Sequence, residues 1–194
     1  MRNPIRLKNF RLRFLPYYAA GLLVLIYGHP TPTTFFVGAS VVLAGTALRG
    51  WGAGHLVKNH SLTVSGPYSR LRHPLYLGTL SVALGFALMV GGAGTLILLV
   101  GLVPWFFLRY FPRKERRESA RLERLYGAVY AEYRNHVPPL LPSLASWRPS
   151  AASAPWLDAD RRWSSSRYSE NNELGAALGV LVCLIAFAWR VASS

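Results

Sequence analysis

The apolar residues of this chain are gathered into long blocks, with the charges lying between them. That segregation constrains the fold more than any other feature. The blocks stand at residues 14–28, 33–54, 75–90, 94–111 and 174–191. A helix needs about 20 mostly apolar residues to cross a bilayer, and in hydrocarbon only helices and closed barrels satisfy their own backbone. The pattern predicts an all-α fold: a polytopic membrane helix bundle of about five transmembrane helices in a single integral membrane domain. The blocks at 14–28 and 75–90 are short and lean on flanking aromatics and arginines. The chain is 52% hydrophobic yet carries a formal net charge of +14, a combination foreign to a soluble basic domain. The first block follows Arg2, Arg6, Lys8, Arg11 and Arg13, with no small-x-small cleavage site behind it. An uncleaved anchor is expected rather than a signal peptide.

Placement of the basic residues sets an orientation. Segments 28–32 and 91–94 hold no Lys or Arg, whereas 1–13, 55–73 and 112–173 hold almost all of them. The positive-inside rule then puts the N-terminus in the cytoplasm and the C-terminus outside. The expected location is a bacterial-type inner membrane or an endomembrane. The basic excess reads as a topology signal and an attraction to anionic lipid. No nucleic-acid partner is expected. Cys183, alone in the chain, rules out an intrachain disulfide and a thiolate metal cluster. The histidines, at 29, 55, 60, 73 and 136, lack the pairing with acids that a metal site needs.

Gly91-Gly92-Ala93-Gly94 leaves room only for a tight turn, so the third and fourth blocks read as a helical hairpin. Ser40 and Ala44, and again Gly175 and Gly179, stand four apart and suit close helix packing. The second pair leaves two readings open, a homodimer contact or packing on the first span. Beyond the fourth block, Leu122, Leu125, Tyr126, Val129, Tyr130 and Tyr133 recur at three and four residues. They mark the stripe of a cytoplasmic amphipathic helix that Pro138-Pro139 terminates. Glu118 projects near the middle of that stripe. A carboxylate there requires a partner, either an arginine of the 49–73 region or a cationic group on a ligand. The core is placed at 14–142. Residues 143–173 read as an interfacial linker with Trp147, Trp156 and Trp163 as anchors, and 174–191 as an additional C-terminal transmembrane helix.

The stretch SGPYSRLRHPLYLGTL, residues 65–80, crowds polar chemistry against the start of an apolar block. Ser65-Gly66-Pro67-Tyr68 reads as a turn, and Pro74 suits the first turn of the next helix. Arg72 and His73 therefore sit at a helix N-terminus, where free N–H groups and the helix dipole favour an anion. An anion site at the tip and a carboxylate at Glu118 together suit a zwitterionic ligand.

These two stretches, GPYSRLRHPLYLG and ERRESARLERLYGAVYAEYRNHVPPLLP, resemble the membrane-embedded methyltransferases related to isoprenylcysteine carboxyl methyltransferase and the phospholipid N-methyltransferases. In that superfamily an R-H-P-x-Y segment opens a transmembrane helix, and an acidic stretch leads into a tyrosine-rich helix ending in V-P. The resemblance covers about residues 48–142. Arg72, His73, Pro74, Tyr76 and Gly78 match the first motif. Glu118, Leu122, Tyr126, Gly127, Tyr130, Tyr133, Val137 and Pro138 match the second. The family's two adjacent acids are replaced here by Glu118-Ser119, with Glu115 one turn earlier as a possible substitute.

The resemblance implies S-adenosyl-L-methionine as cofactor, a cytoplasmic active site, and a lipid-like or prenylated substrate entering from the bilayer. The acceptor is a carboxylate, an amine or a thiol. Arg72, His73, Tyr76, Glu118, Tyr130 and Tyr133 are the expected cofactor-binding residues. Arg72, His73 and His55 are the expected catalytic ones, with Lys58 and Asn59 beside them. Two rival readings stand against this one: an NADPH-dependent membrane reductase of sterols or related lipids, and a non-catalytic membrane scaffold of the same fold.

Overall fold

The computed structural model describes residues 28–57, 61–148, 157 and 162–193. Helices carry the fold throughout these residues. The first apolar block lies outside them apart from Gly28, as do Lys58, Asn59 and Trp156.

Helix α1 spans Pro32–His55 and starts on Thr31, whose hydroxyl and that of Thr34 cap each other's backbone N–H in a capping box. Helix α2 spans Pro74–Val90, with Pro74 at its first position. Helix α3 spans Gly92–Trp105. A π turn at Phe106–Tyr110 passes without interruption into α4, Phe111–His136. The short α5 covers Ser165–Glu170, and α6 covers Glu173–Ala192.

Three helical runs hold a stretch long and apolar enough to cross a membrane: Pro32–His55, the part of Gly92–His136 that precedes the charged residues from Arg113 onward, and Glu173–Ala192. The α2 helix, with 17 residues, is about 26 Å long at 1.5 Å per residue, a little under the roughly 30 Å of hydrocarbon. Large apolar side chains lie bare along these helices, among them Phe36, Leu43, Ile97, Val100 and Val182. Water would penalise such a surface, and acyl chains do not.

Helices α1 and α2 pack closely, and glycine makes the close approach possible. A Cβ on Gly38 would lie 2.5 Å from the Gly85 carbonyl oxygen, and one on Gly85 would lie 2.6 Å from that of Gly38. One antiparallel step further along, a Cβ on Gly45 would lie 2.8 Å from the Gly78 carbonyl oxygen. The small residues that seat the helices are thus Gly38 and Gly45. The expected pair, Ser40 and Ala44, faces outward. Spacing alone identifies a close-packing stripe but not which of several small residues faces the neighbour. Gly85→Val is expected to cost about 1–3 kcal/mol by overpacking, read as a lower melting temperature in detergent. Gly101→Val, where nothing lies within 4 Å, serves as the control.

The apolar core between α1, α2 and α6 gathers Val42, Met89, Val90 and Phe187. At one end of this core, Arg49 of α1 ties three helices together. Its Nη2 and Nε donate to the two Glu173 carboxylate oxygens at 2.6 and 3.1 Å, and its Nη1 to Thr79 Oγ1 at 2.5 Å. At the opposite end, Arg190 of α6 donates to the Gly28 carbonyl at 3.1 Å. Gly175 and Gly179 face away from the bundle, with nothing within 4 Å of either.

One expectation changes on the far side of the bundle. The fourth apolar block and the amphipathic helix form one continuous run, from α3 through the π turn into α4. Where it is described, the 143–173 stretch is held by backbone and side-chain hydrogen bonds. Ser143 and Trp147 donate their N–H groups to the carbonyls of Arg70 and Ser69 at 2.9 and 2.8 Å. Trp147 packs on Tyr133 at 5.3 Å between ring centroids. Trp163 Nε1 donates to the Gly50 carbonyl at 3.0 Å, and Asn171 caps the end of α1 through the Ala53 and Leu56 carbonyls.

Candidate active site

The site is assembled where the start of α2 meets α4. The backbone N–H groups of Arg72 and His73 donate to the carbonyls of Pro138 and Pro139 at 2.9 and 3.1 Å. The two halves of the sequence pattern are therefore pinned by main chain. Leu80, Phe106, Phe111 and Leu140 pack beneath them. Gly127 sits inside α4 at φ 49° and ψ −124°, a backbone that a residue with a Cβ adopts only under strain. The break re-aims the last turns of α4, which carry Tyr130 and Tyr133 into the core formed with Leu62, Val64, Val137 and Leu157.

A buried polar cluster forms the floor. Glu115 receives Arg72 Nη1 at 2.7 Å, is in direct contact with His73 Nε2, and accepts from Ser119 Oγ at 3.2 Å. Ser119 in turn shares a 2.7 Å hydrogen bond with the Tyr130 hydroxyl. Arg72 also donates through Nε to the Val137 carbonyl at 2.9 Å. Burial opposes ionisation of Glu115, but the hydrogen bond and charge of His73, then Arg72 and Ser119, outweigh it and hold its pKa at about 2. The carboxylate facing the helix tip is thus Glu115, and Ser119 occupies the buried position beside it. The helix is turned about its axis from the sequence expectation, which put Glu118 at the centre of the stripe. The Arg72 guanidinium and the His73 ring at the α2 tip engage the acid one turn earlier. Leu125, expected within the stripe, is half exposed.

Glu118 lies at the edge of this cluster, its side chain 44% exposed. Its Oε2 accepts from the Tyr76 hydroxyl at 3.0 Å and stands 3.8 Å from His73 Nδ1. Above it opens a cavity of about 290 Å³, lined on one side by Tyr68, Arg72 and His73 and on the other by Glu118, Arg121, Leu122, Tyr126, Tyr130 and Tyr133, with Leu56, Val57 and residues 61–63 closing one edge. That volume is at the lower end of the roughly 300–1,000 Å³ typical of small-molecule sites.

Of the expected site residues, the structure brings Arg72, His73, Glu118, Tyr130 and Tyr133 to one cavity, with Tyr76 at its rim through Glu118. It does not bring His55 there. That ring is buried against Gly66, where a Cβ would lie 2.5 Å from it, and its Nδ1 stands 3.3 Å from Ser65 Oγ. Gly66 has φ +58°, so turn and histidine lock each other in place. The hydroxyls of Tyr130 and Tyr133 are committed to structure, the latter donating to the Tyr68 carbonyl at 2.7 Å. Burial, then the neighbouring Tyr68, raises the Tyr133 hydroxyl well above its ordinary pKa, which excludes it as a base near neutrality. Tyr68 and Arg121 are lining residues that sequence reasoning missed. Tyr68 looked like part of a turn, and Arg121 like one of many solvated cations.

The sequence profile of the phospholipid methyltransferase family matches residues 33–129. The chain is 30% identical over 145 residues to the protein-S-isoprenylcysteine O-methyltransferase of Schizosaccharomyces pombe, covering 72% of this chain and 58% of that protein. Its identity to the Xenopus laevis protein of the same name is 32% over 120 residues, covering 55% of this chain and 40% of the relative. The Delta(14)-sterol reductase of Mus musculus is 36% identical over 81 residues, or 40% of this chain and 18% of the reductase. The chain therefore spans about half the length of the curated methyltransferases it matches. No solved structure matches it with significance. The matched region holds α1, α2, α3 and α4 as far as the Gly127 break, together with Arg72, His73, Tyr76, Glu115 and Glu118. The chain belongs to the phospholipid methyltransferase family.

Proposed function

We propose that the protein is an integral-membrane methyltransferase that uses S-adenosyl-L-methionine to methylate a lipid-like or prenylated acceptor at the cytoplasmic face. The observation that carries this reading is the cavity in which a partly exposed carboxylate, Glu118, faces the cationic tip of α2. The residues present fit the cofactor. It is a zwitterion with an additional sulfonium charge and an adenine, and the cavity offers acid, cations and tyrosine rings in one wall-to-wall arrangement.

When bound, the cofactor supplies a methyl group already activated on sulfur, open to in-line displacement by a nucleophile. What remains for the chain is orientation, which contributes about 7–11 kcal/mol in well-positioned reactions. Glu118 takes the ammonium end by a charge-assisted hydrogen bond, and Tyr76 holds Glu118 in the required direction. Arg72 and His73 supply positive potential for the carboxylate end. Because Glu115 already neutralises much of their charge, their first role is to build the floor. Tyr126 offers a ring face to the adenine or the sulfonium, and the buried Tyr130 and Tyr133 back that wall from the core. A carboxylate or thiolate acceptor needs no general base. An amine acceptor has to arrive neutral, and among the described residues His73 is the imidazole that lines the cavity.

The topology belongs to the same proposal: five spans, N-terminus in the cytoplasm, and the site on that side. The Arg49–Glu173 and Arg190–Gly28 contacts at its two ends run α6 antiparallel to α1, and in this topology α6 crosses outward. The likeness to a sterol reductase favours a second reading, an NADPH-dependent lipid reductase. Incubation of the purified protein with deuteromethyl cofactor and native lipid extract separates the two. Transfer of deuterated methyl to a lipid or prenyl-peptide species is expected. Its absence, with NADPH oxidised by the same extract instead, favours the reductase.

A further inference from the structure

The junction between the apolar and charged halves of the long helix carries a second cleft of about 510 Å³, lined by Trp105, Arg109, Tyr110, Arg113, Lys114 and Arg117. None of these residues lines the cavity at the α2 tip. Trp105 and Tyr110 stack at 5.2 Å with an interplanar angle of 28°, and Lys114 Nζ stands 5.9 Å over the Tyr110 ring. The four cations are exposed, and no carboxylate among the described residues pairs with any of them. The two acids nearest in sequence on the same helix, Glu115 and Glu118, are turned the other way, toward His73 and Tyr76. The π turn at Phe106–Tyr110 lies at this junction, and Arg109, Arg113 and Arg117 follow one another at four-residue spacing along one face.

We propose that this cleft is a docking site for the headgroup of an anionic phospholipid, seated beside the active site but separate from it. Two features select the occupant. The cleft presents four uncompensated positive charges within two helical turns. Immediately toward the bilayer, the same helix exposes Ile97, Val100 and Leu108 at 72, 74 and 74% of their surface. A partner must therefore carry an anion and an acyl chain together. Trp105 and Tyr110 are the amphipathic rings expected at headgroup level, where one edge meets hydrocarbon and the other water. Clusters of basic residues just outside a spanning helix attract anionic lipid in this way.

The test uses the full-length protein in nanodiscs of equal phosphatidylglycerol and phosphatidylcholine, with retained lipid measured by native mass spectrometry after detergent release. The wild-type protein is expected to retain phosphatidylglycerol preferentially. The triple variant R109Q/R113Q/R117Q is expected to reduce that preference by roughly twentyfold or more. The variant R124Q/R134Q, which alters two exposed cations elsewhere on α4, retains it. Cofactor binding by the triple variant remains intact if it is folded. Equal retention of the two lipids by the wild-type protein overturns the proposal, and that arm needs no variant. A triple variant with unchanged preference overturns it as well. Displacement of phosphatidylglycerol by millimolar inorganic phosphate overturns it too, since the cleft then recognises free anion rather than lipid.

Discussion

Glu118→Gln is expected to weaken S-adenosyl-L-methionine binding roughly 10- to 100-fold while shifting the melting temperature by no more than a degree or two. Isothermal calorimetry in detergent measures the first, and thermal unfolding of the same sample measures the second. The size follows from a hydrogen bond to a charged group, about 1.5–3 kcal/mol. The small stability change follows from position: the Glu118 side chain is 44% exposed, and its hydrogen-bond donor is the Tyr76 hydroxyl at 3.0 Å. Glutamine still accepts that hydrogen bond, so what it loses is charge. Tyr76→Phe is expected to give a smaller loss in the same direction, because it removes the group that aims Glu118 but not the charge. Unchanged affinity in Glu118→Gln would remove this carboxylate from the cofactor site.

Glu115→Gln gives the reverse signature. Glu115 is ionised against two largely buried partners, with Arg72 8% and His73 5% exposed. Removing its charge leaves the buried Arg72 guanidinium without its counterion and His73 without its carboxylate partner, a class of change that costs about 3 kcal/mol or more. For a chain of this size that corresponds to a fall of roughly 6–12 °C in melting temperature. The pH dependence has a definite sign. The folded pKa of Glu115 is lowered from 4.5 to about 2. The stabilisation it provides is fully present above pH 4.5 and is lost as pH falls through the folded value. The wild-type protein is therefore expected to lose stability in that acid window, whereas Glu115→Gln, lacking the group, shows a shallower fall there. A variant as stable as the wild type at neutral pH would show that the cluster is not the structural floor described above.

The two acids thus divide their labour in a way the sequence showed only in part. The RHP segment and the tyrosine-rich helix were legible as partners, and the structure joins them through the Pro138 and Pro139 carbonyls. Periodicity placed α4 and its apolar stripe. It could not decide which acid turned inward, because Glu115 and Glu118 are 60° apart on the helix and the choice is made by Arg72 and His73, more than forty residues away. His55 looked like a site residue by proximity in sequence, yet the turn at Gly66 folds it behind the wall. The glycine contact between α1 and α2 was hidden among other small residues. The docking of 143–148 and 162–173 rests on backbone and indole hydrogen bonds to distant carbonyls, and no local pattern reports those. The Ser119 substitution in the family's acidic pair becomes intelligible only in three dimensions, where the serine hydroxyl links Glu115 to Tyr130.

Whether the cavity at the α2 tip receives the methyl donor is tested most directly by equilibrium titration of the purified, unmodified protein. S-adenosyl-L-methionine and NADPH are titrated separately into the same preparation, and bound ligand is read by calorimetry. Saturable one-to-one binding of S-adenosyl-L-methionine, with no heat from NADPH, is the result this account predicts. Saturable binding of NADPH by a protein indifferent to S-adenosyl-L-methionine would contradict it.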